Sequence, residues 1–277
     1  MNAAALRAQL ESKLGIRVPS PFTFRAQVPI ATVPSGLSEV DALTPLHGLP
    51  RGALTEICGP DSSGRTSFLL QLLAKMTTAE EACALVDATD AFDPHSARAA
   101  GVELDRLLWA RCTSLEKALR TTELLLAGGG FGLVAVDLGD VPPREARRVP
   151  LAYWFRLRRV VERTPTVLVV LEQMPYAKTC ASLVLRLESQ TACWSTTAGD
   201  AALSRYDAPS HACLLRGARR RIEVVRSRLP GEITGPARGM METGMMFATG
   251  NKVSGYAALL CGKASPSRTT DKKQSRL

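Results

Sequence analysis

Residues 59–66 read Gly-Pro-Asp-Ser-Ser-Gly-Arg-Thr, the spacing of a loop that cradles phosphate between a strand and a helix. An apolar run, Ala53 to Cys58, precedes Gly59, and Phe68, Leu69, Leu72 and Leu73 follow on one helical face. The glycines let consecutive N–H groups converge on one anion, and a helix starting near Gly64 adds the positive end of its dipole. Gly59, Asp61, Ser62, Ser63, Gly64, Arg65, Thr66 and Ser67 are therefore candidate ligands of a nucleotide's phosphates, with the Thr66 hydroxyl placed to hold Mg²⁺. Arg65 stands where the pattern asks for lysine. Arginine is always charged and binds phosphate, but its planar fork is wider and aimed differently. Affinity can survive such an exchange while transition-state placement suffers. A second apolar strand, Leu133 to Val136, ends in Asp137. A carboxylate at that edge can hold Mg²⁺ through its water; the competing reading is an ordinary capping aspartate.

These residues need a scaffold of alternating strands and helices. Strand-like runs cover 53–58, 82–87, 107–110, 131–137, 166–171, 183–187, 213–215 and 221–225, and helical patterns lie near 65–78, 94–100, 114–127 and 145–162. Runs such as Leu-Val-Ala-Val and Val-Leu-Val-Val-Leu are apolar throughout, as in a parallel sheet buried on both faces. The expected fold is α/β: a doubly wound, mostly parallel sheet with helices on both faces and an N-terminal helical arm. Residues 1–45 read as a helix (1–15) and an extended arm with prolines (18–34), 46–230 as the core, and 231–277 as a Gly/Met-rich segment with a disordered basic tail. Met240, Met241, Met245 and Met246 offer a loose apolar contact.

The chain has 277 residues, 45% hydrophobic and 22% charged, the composition of a soluble globular protein. No apolar stretch reaches the ~20 residues of a membrane span, and Arg7, Glu11 and Lys13 break any signal-peptide core. Seven cysteines occur without a C-x-x-C, and none of the three histidines pairs with cysteine at metal-ligand spacing. They read as small buried hydrophobes in a reducing, cytoplasmic setting, with no structural zinc. The net charge is +9, concentrated at Arg144, Arg147, Arg148, Arg156, Arg158 and Arg159, at Arg216 to Arg228, and in the tail. Such clusters meet nucleic acid or acidic protein, or are simply solvated. Arg144, Arg147 and Arg148 are the candidate DNA contacts. The apolar residues interleaved with Arg147 to Arg159 (Val149, Leu151, Trp154, Phe155, Leu157, Val160) read as core packing rather than base stacking.

The chain also resembles a known family. Val33 to Leu37, Gly48 to Gly52, the 56–66 segment, Val86-Asp87-Ala88-Thr89-Asp90-Ala91-Phe92-Asp93-Pro94 and Gly101 to Leu108 follow in the order and spacing of bacterial RecA recombinases. The resemblance runs from about Val33 to Arg228, densest up to Leu108. RecA proteins are ATP-driven filament formers that pair DNA strands. The resemblance implies that Asp93 touches adenine, Asp137 stands on the metal side, Gln173 senses the terminal phosphate, and Arg226 and Arg228 replace lysines that reach a neighbour's ATP. The N-terminal helix resembles the arm that docks on the next protomer; packing on its own core is the alternative.

Departures fall on the chemistry. Thr89 stands at the position of the glutamate that activates water, and a threonine hydroxyl is no base near neutral pH. Ser96 replaces the aromatic that stacks on adenine, and the segments at 138–145 and 174–182, where RecA contacts DNA, are short. With no general base in place, no catalytic residue is assigned. The chain is similar to ImuA-type proteins, divergent RecA-like partners of translesion polymerases in damage-induced mutagenesis. This implies an accessory protein of the SOS response that joins RecA-family or self subunits and polymerase subunits, contacts DNA through its basic clusters, and binds ATP and Mg²⁺ with little or no turnover. Two other readings stay open: an active ATP-dependent recombinase-like enzyme whose base is Asp90 or Glu172, and a RecA-like regulator of another process such as cell-division arrest.

Overall fold

Continuously apolar runs become strands here because helices cover both of their faces. The computed structural model describes residues 30–194, 215–230 and 238–244, together with Gln9, Ser12, Lys13 and Gly15. Along the chain come β1 (Thr32–Val33), α1 (Ser38–Leu43), β2 (Leu49–Pro50), β3 (Ala53–Cys58), α2 (Arg65–Thr78), β4 (Cys83–Asp87) and α3 (Pro94–Ala99). There follow β5 (Leu107–Arg111), α4 (Leu115–Gly128), β6 (Leu133–Asp137), α5 (Pro143–Ala146), α6 (Leu151–Val161), β7 (Val167–Glu172), β8 (Leu183–Trp194), β9 (Leu215–Ser227) and β10 (Arg238–Gly244).

Eight strands form one sheet in the order β10-β9-β8-β3-β7-β6-β4-β5. The six from β8 to β5 run parallel; β9 and β10 are antiparallel additions. On one face α2 packs Phe68, Leu72 and Met76, with Val40 and Leu43 of α1, over Ile57, Leu85, Ala135, Val169 and Leu185. On the other, Leu119 and Leu126 of α4 and Trp154 and Leu157 of α6 cover Leu54, Val134, Leu168 and Val184. The doubly wound α/β expectation is met.

Three details differ from the sequence reading. The helical pattern near 145–162 is two helices, α5 and α6, because Pro150 lacks an N–H and keeps Val149 out of helical conformation. Leu215, the one described residue of the run at 213–215, and the run at 221–225 belong to one strand, β9, whose arginine-rich middle pairs with β8 on one side and β10 on the other. The sheet also continues past residue 230, through β10. There Gly239 lies so close to α1 that a Cβ would come within 2.9 Å of Leu43 Cδ1, and Met241 is buried while Met240 is exposed. The expected N-terminal helix beyond the residues named, the arm up to residue 29, Met245, Met246, Cys213, Cys261, His211 and the basic tail lie outside the described residues.

Cys58, Cys83, Cys112 and Cys180 are buried free thiols. Burial pushes Cys58 up to about 11 and Cys83 up to about 12. No helix among the described residues is long and apolar enough to cross a membrane. Buried Thr77 ties the end of α2 to the turn before β5: its Oγ1 donates to Leu73 O at 2.8 Å and accepts from Glu103 N at 3.1 Å. Thr77→Val keeps the shape and strands the Glu103 N–H, so urea denaturation is expected to show a loss of about 1–2 kcal/mol. An unchanged midpoint would count against this tie.

Candidate functional site

Gly59 follows the last residue of β3, and its N–H donates to Glu172 O at 3.2 Å. A Cβ there would meet Leu187 O and Ser63 Oγ, so the chain can pass only as glycine. The loop then turns through two left-handed residues, Ser62 (φ 61°) and Gly64 (φ 99°), before α2 starts at Arg65. Asp61, Ser62 and Thr66 are exposed, Ser67 is half-buried, and Ser63 is shut in at 1% exposure with no partner for its Oγ.

Arg65 is buried, and its guanidinium turns to the next strand end. Nη1 donates to Gly139 O and Nη2 to Asp61 Oδ1, each at 3.3 Å. Gln173 Nε2 donates to the same Gly139 carbonyl at 3.1 Å, while Gly139 N donates to Asp137 Oδ1 at 2.9 Å. The bend after β6 thus brings Arg65, Asp137 and Gln173 together. Desolvation pushes the Asp137 carboxyl up, and the Gly139 N–H works against it.

The segment after β4 is held from below. Asp87 is fully buried and accepts from Thr89 N and Ala91 N (both 3.2 Å), Phe92 N (3.0 Å) and Trp109 Nε1 (3.3 Å). Thr89 uses only its backbone there, and its side chain is exposed. Asp93 caps α3, accepting from His95 N, Ser96 N and, at 2.6 Å, Ser96 Oγ. The Ser96 hydroxyl, with the two backbone N–H groups, holds the Asp93 carboxyl below the usual range. The two alternative bases are both occupied. Asp90 receives a two-pronged bond from Arg111 at 2.7 and 2.5 Å, which lowers its pKa. Glu172 is 1% exposed and accepts from Tyr176 N at 3.0 Å. Asp90 is thus tied to Arg111 at the surface, and Glu172 is shut away from solvent.

Arg226 and Arg228 sit elsewhere. Arg226 pairs across β8 at Val184, level with Glu56 on β3. Its Nη2 donates to Lys178 O and lies 3.9 Å from Glu56 Oε2; Arg228 Nη1 donates to Thr179 O at 2.8 Å. Within this chain both hold the 178–179 turn and not the phosphate loop. The same turn hangs on two buried carboxyls. Glu56 accepts from Ala177 N at 2.6 Å, Glu172 from Tyr176 N, and the two side chains lie against each other. Burial raises both; the Glu56 charge raises Glu172 further, and the Ala177 N–H and Arg226 partly offset the rise at Glu56.

Arg144, Arg147 and Arg148 are exposed around α5 and make no ion pair among the described residues, whereas Arg156 meets Glu123 and Arg158 meets Glu162. Beside them a cavity of about 460 Å³ opens between Ala146, Arg147, Leu151 and the 174–178 turn. If the three arginines hold phosphates, replacing all three by alanine is expected to weaken single-stranded DNA binding about tenfold in low salt and to flatten its salt dependence. Unchanged affinity in a fluorescence titration would reject that role.

Sequence reasoning missed Glu56, Gly139 and Arg220. Only Glu56 left a signal: a carboxylate inside a buried apolar strand must find partners. Arg220, on β9, lies against Gly64, with its Cδ and Nε 2.2 Å from where a Cβ would stand.

Residues 4–145 match the family described as the RecA N-terminal domain. The chain is 34% identical over 133 residues to Protein RecA of Streptomyces ambofaciens, covering 48% of this chain and 36% of that one. It is 30% identical over 181 residues to Protein RecA of Deinococcus radiodurans, covering 60% and 50%. It is 29% identical over 185 residues to that of Rickettsia canadensis, covering 62% and 54%. The chain spans about a third to a half of the length of these curated relatives.

Proposed function

Because this chain belongs to the RecA N-terminal domain family, we propose that it is a RecA-like accessory protein of DNA repair, of the kind that serves damage-induced mutagenesis. It acts by binding, with little or no ATP turnover. The observation that carries this reading is the pair of losses at the loop. Arg65 is bonded to Gly139 and Asp61 where a lysine would reach between phosphates, and Thr89 offers no base. The residues present still suit an anion. The loop is bent by Gly64, Ser63 Oγ lacks a partner, and Thr66 is exposed at the start of α2.

Gly59 to Ser67 would hold the phosphates of ATP, and Thr66 and Asp137 the Mg²⁺, which when bound supplies charge neutralisation at the phosphates. Gln173, already on Gly139 O beside Arg65, would feel a change at that end of the nucleotide. The short, tightly held 174–181 turn supports a binding role over strand exchange. Partners are expected to be RecA-family or self subunits and translesion polymerase subunits, with DNA contacted through Arg144, Arg147 and Arg148.

Two measurements test this. ATP turnover with single-stranded DNA is expected at background; turnover stimulated to recombinase rates would overturn the accessory reading. Purified RecA filaments and a translesion polymerase subunit are expected to retain the protein in a pull-down, and failure to retain it would reject the partnership.

A further inference from the structure

We propose that Arg220 is a phosphate ligand of the 59–66 loop, delivered in cis from β9, so that the charge facing a polyphosphate comes from outside the loop motif. This deepens the nucleotide reading above and rests on it.

The register puts Arg220 at the loop. Cys58, the last residue of β3, lies level with Arg186 on β8, and Arg186 pairs with Glu223 on β9. Arg220 is three residues further along β9, paired with Ser189 and Met241, past the end of β3 where the chain bends. Its Cδ and Nε stand 2.2 Å, and its Cζ 2.9 Å, from the point a Cβ on residue 64 would occupy. The guanidinium thus lies on the bare Cα of Gly64, in space only glycine leaves open.

Nε and Nη1 of Arg220 are closed off from water and have no hydrogen-bond partner among the described residues. Ser63 Oγ, in the same bend, is also buried and unpartnered. Buried polar groups are normally satisfied, and a guanidinium without an acceptor is costly. The neighbouring acids are taken: Glu188 faces Arg221, Glu223 faces Arg238, and Asp61 faces Arg65. Burial accordingly lowers the pKa of Arg220. The acceptor that fits is an anion in the loop, because a guanidinium gives phosphate oxygens strong charge-assisted hydrogen bonds. Arg65 is held by Gly139 O and Asp61, whereas Arg220 Nε and Nη1, against Gly64, have no acceptor among the described residues.

Binding of Mg·ATP and of tripolyphosphate should be measured calorimetrically for the unmodified chain, Arg220→Ala and Arg220→Lys, with thermal unfolding as the check on folding. Both ligands are expected to bind the unmodified chain, at least tenfold more weakly to Arg220→Ala, and several-fold more weakly to Arg220→Lys, which keeps the charge and loses the fork. Should the alanine variant fail to fold, the lysine variant decides by the same criterion. Equal affinity in all three overturns the role of Arg220 and leaves the nucleotide reading standing. Tripolyphosphate binding that depends on Arg220, with no ATP binding, upholds Arg220 and rejects the nucleotide. No binding of either ligand overturns both.

Discussion

The double variant Arg65→Lys/Thr89→Glu is expected to raise ATP turnover by about a hundredfold, the lower end of what a positioned general base contributes. Each change answers one structural fact. A lysine at 65 cannot fork between Gly139 O and Asp61 as the arginine does, so its ammonium is released toward the phosphates. A glutamate at 89 would stand on a backbone already set by the Thr89 N–H bond to Asp87, with its carboxylate on the exposed side. The single variants are expected to gain little, because groups that act together in one transition state are far from additive. Steady-state phosphate release, with and without single-stranded DNA, decides it. A double variant as inert as the starting protein would place the defect elsewhere, with Asp93, held by Ser96, the next suspect.

The second large effect concerns stability. Glu56 and Glu172 are buried side by side, each with one oxygen on a backbone N–H. Glu56 Oε2 and Glu172 Oε1 lack a donor, so the arrangement calls for a proton between the side chains. Both carboxyls are raised above their ordinary value. The folded chain therefore holds protons that the unfolded chain has released. Stability then falls as pH rises from the ordinary carboxylate range through the folded-state values. Glu172→Gln supplies a permanent donor to Glu56 and keeps an acceptor for the Tyr176 N–H. It is expected to stabilise the fold by about 2 kcal/mol at pH 8, within the range for relieving a poorly compensated buried ion. It should do little near pH 4, where the native pair is protonated. Denaturant melts at the two pH values check this; identical gains at both would refute the shared proton.

Much of this was legible in the chain itself. Leu133–Asp137 and Val167–Glu172 could be read as central strands because burial on both faces leaves no polar alternation. The bend at residues 59–66 between β3 and α2 was legible because its glycine spacing dictates a tight strand-to-helix turn. Arg220 was not. Its place depends on pairing between β8 and β9, which carry irregularities at Val184/Leu185, Ser189/Thr191 and Cys193/Trp194. A slip of one residue would have turned Arg219 or Arg221 inward. The Glu56–Glu172 contact was hidden for a similar reason: β3 and β7 are neighbours in the sheet and far apart in sequence. The break at Pro150 was visible, and helical periodicity on both sides of it masked it.

The four donors gathered by Asp87 have one more implication. They fasten residues 89–92 through main-chain atoms and an indole, so the shape of that bend is indifferent to which side chain position 89 carries. The fold draws on the main-chain N–H of residue 89 and leaves its exposed side chain out of the bend's hydrogen bonds. The group at that spot can be exchanged without loosening the architecture beneath it.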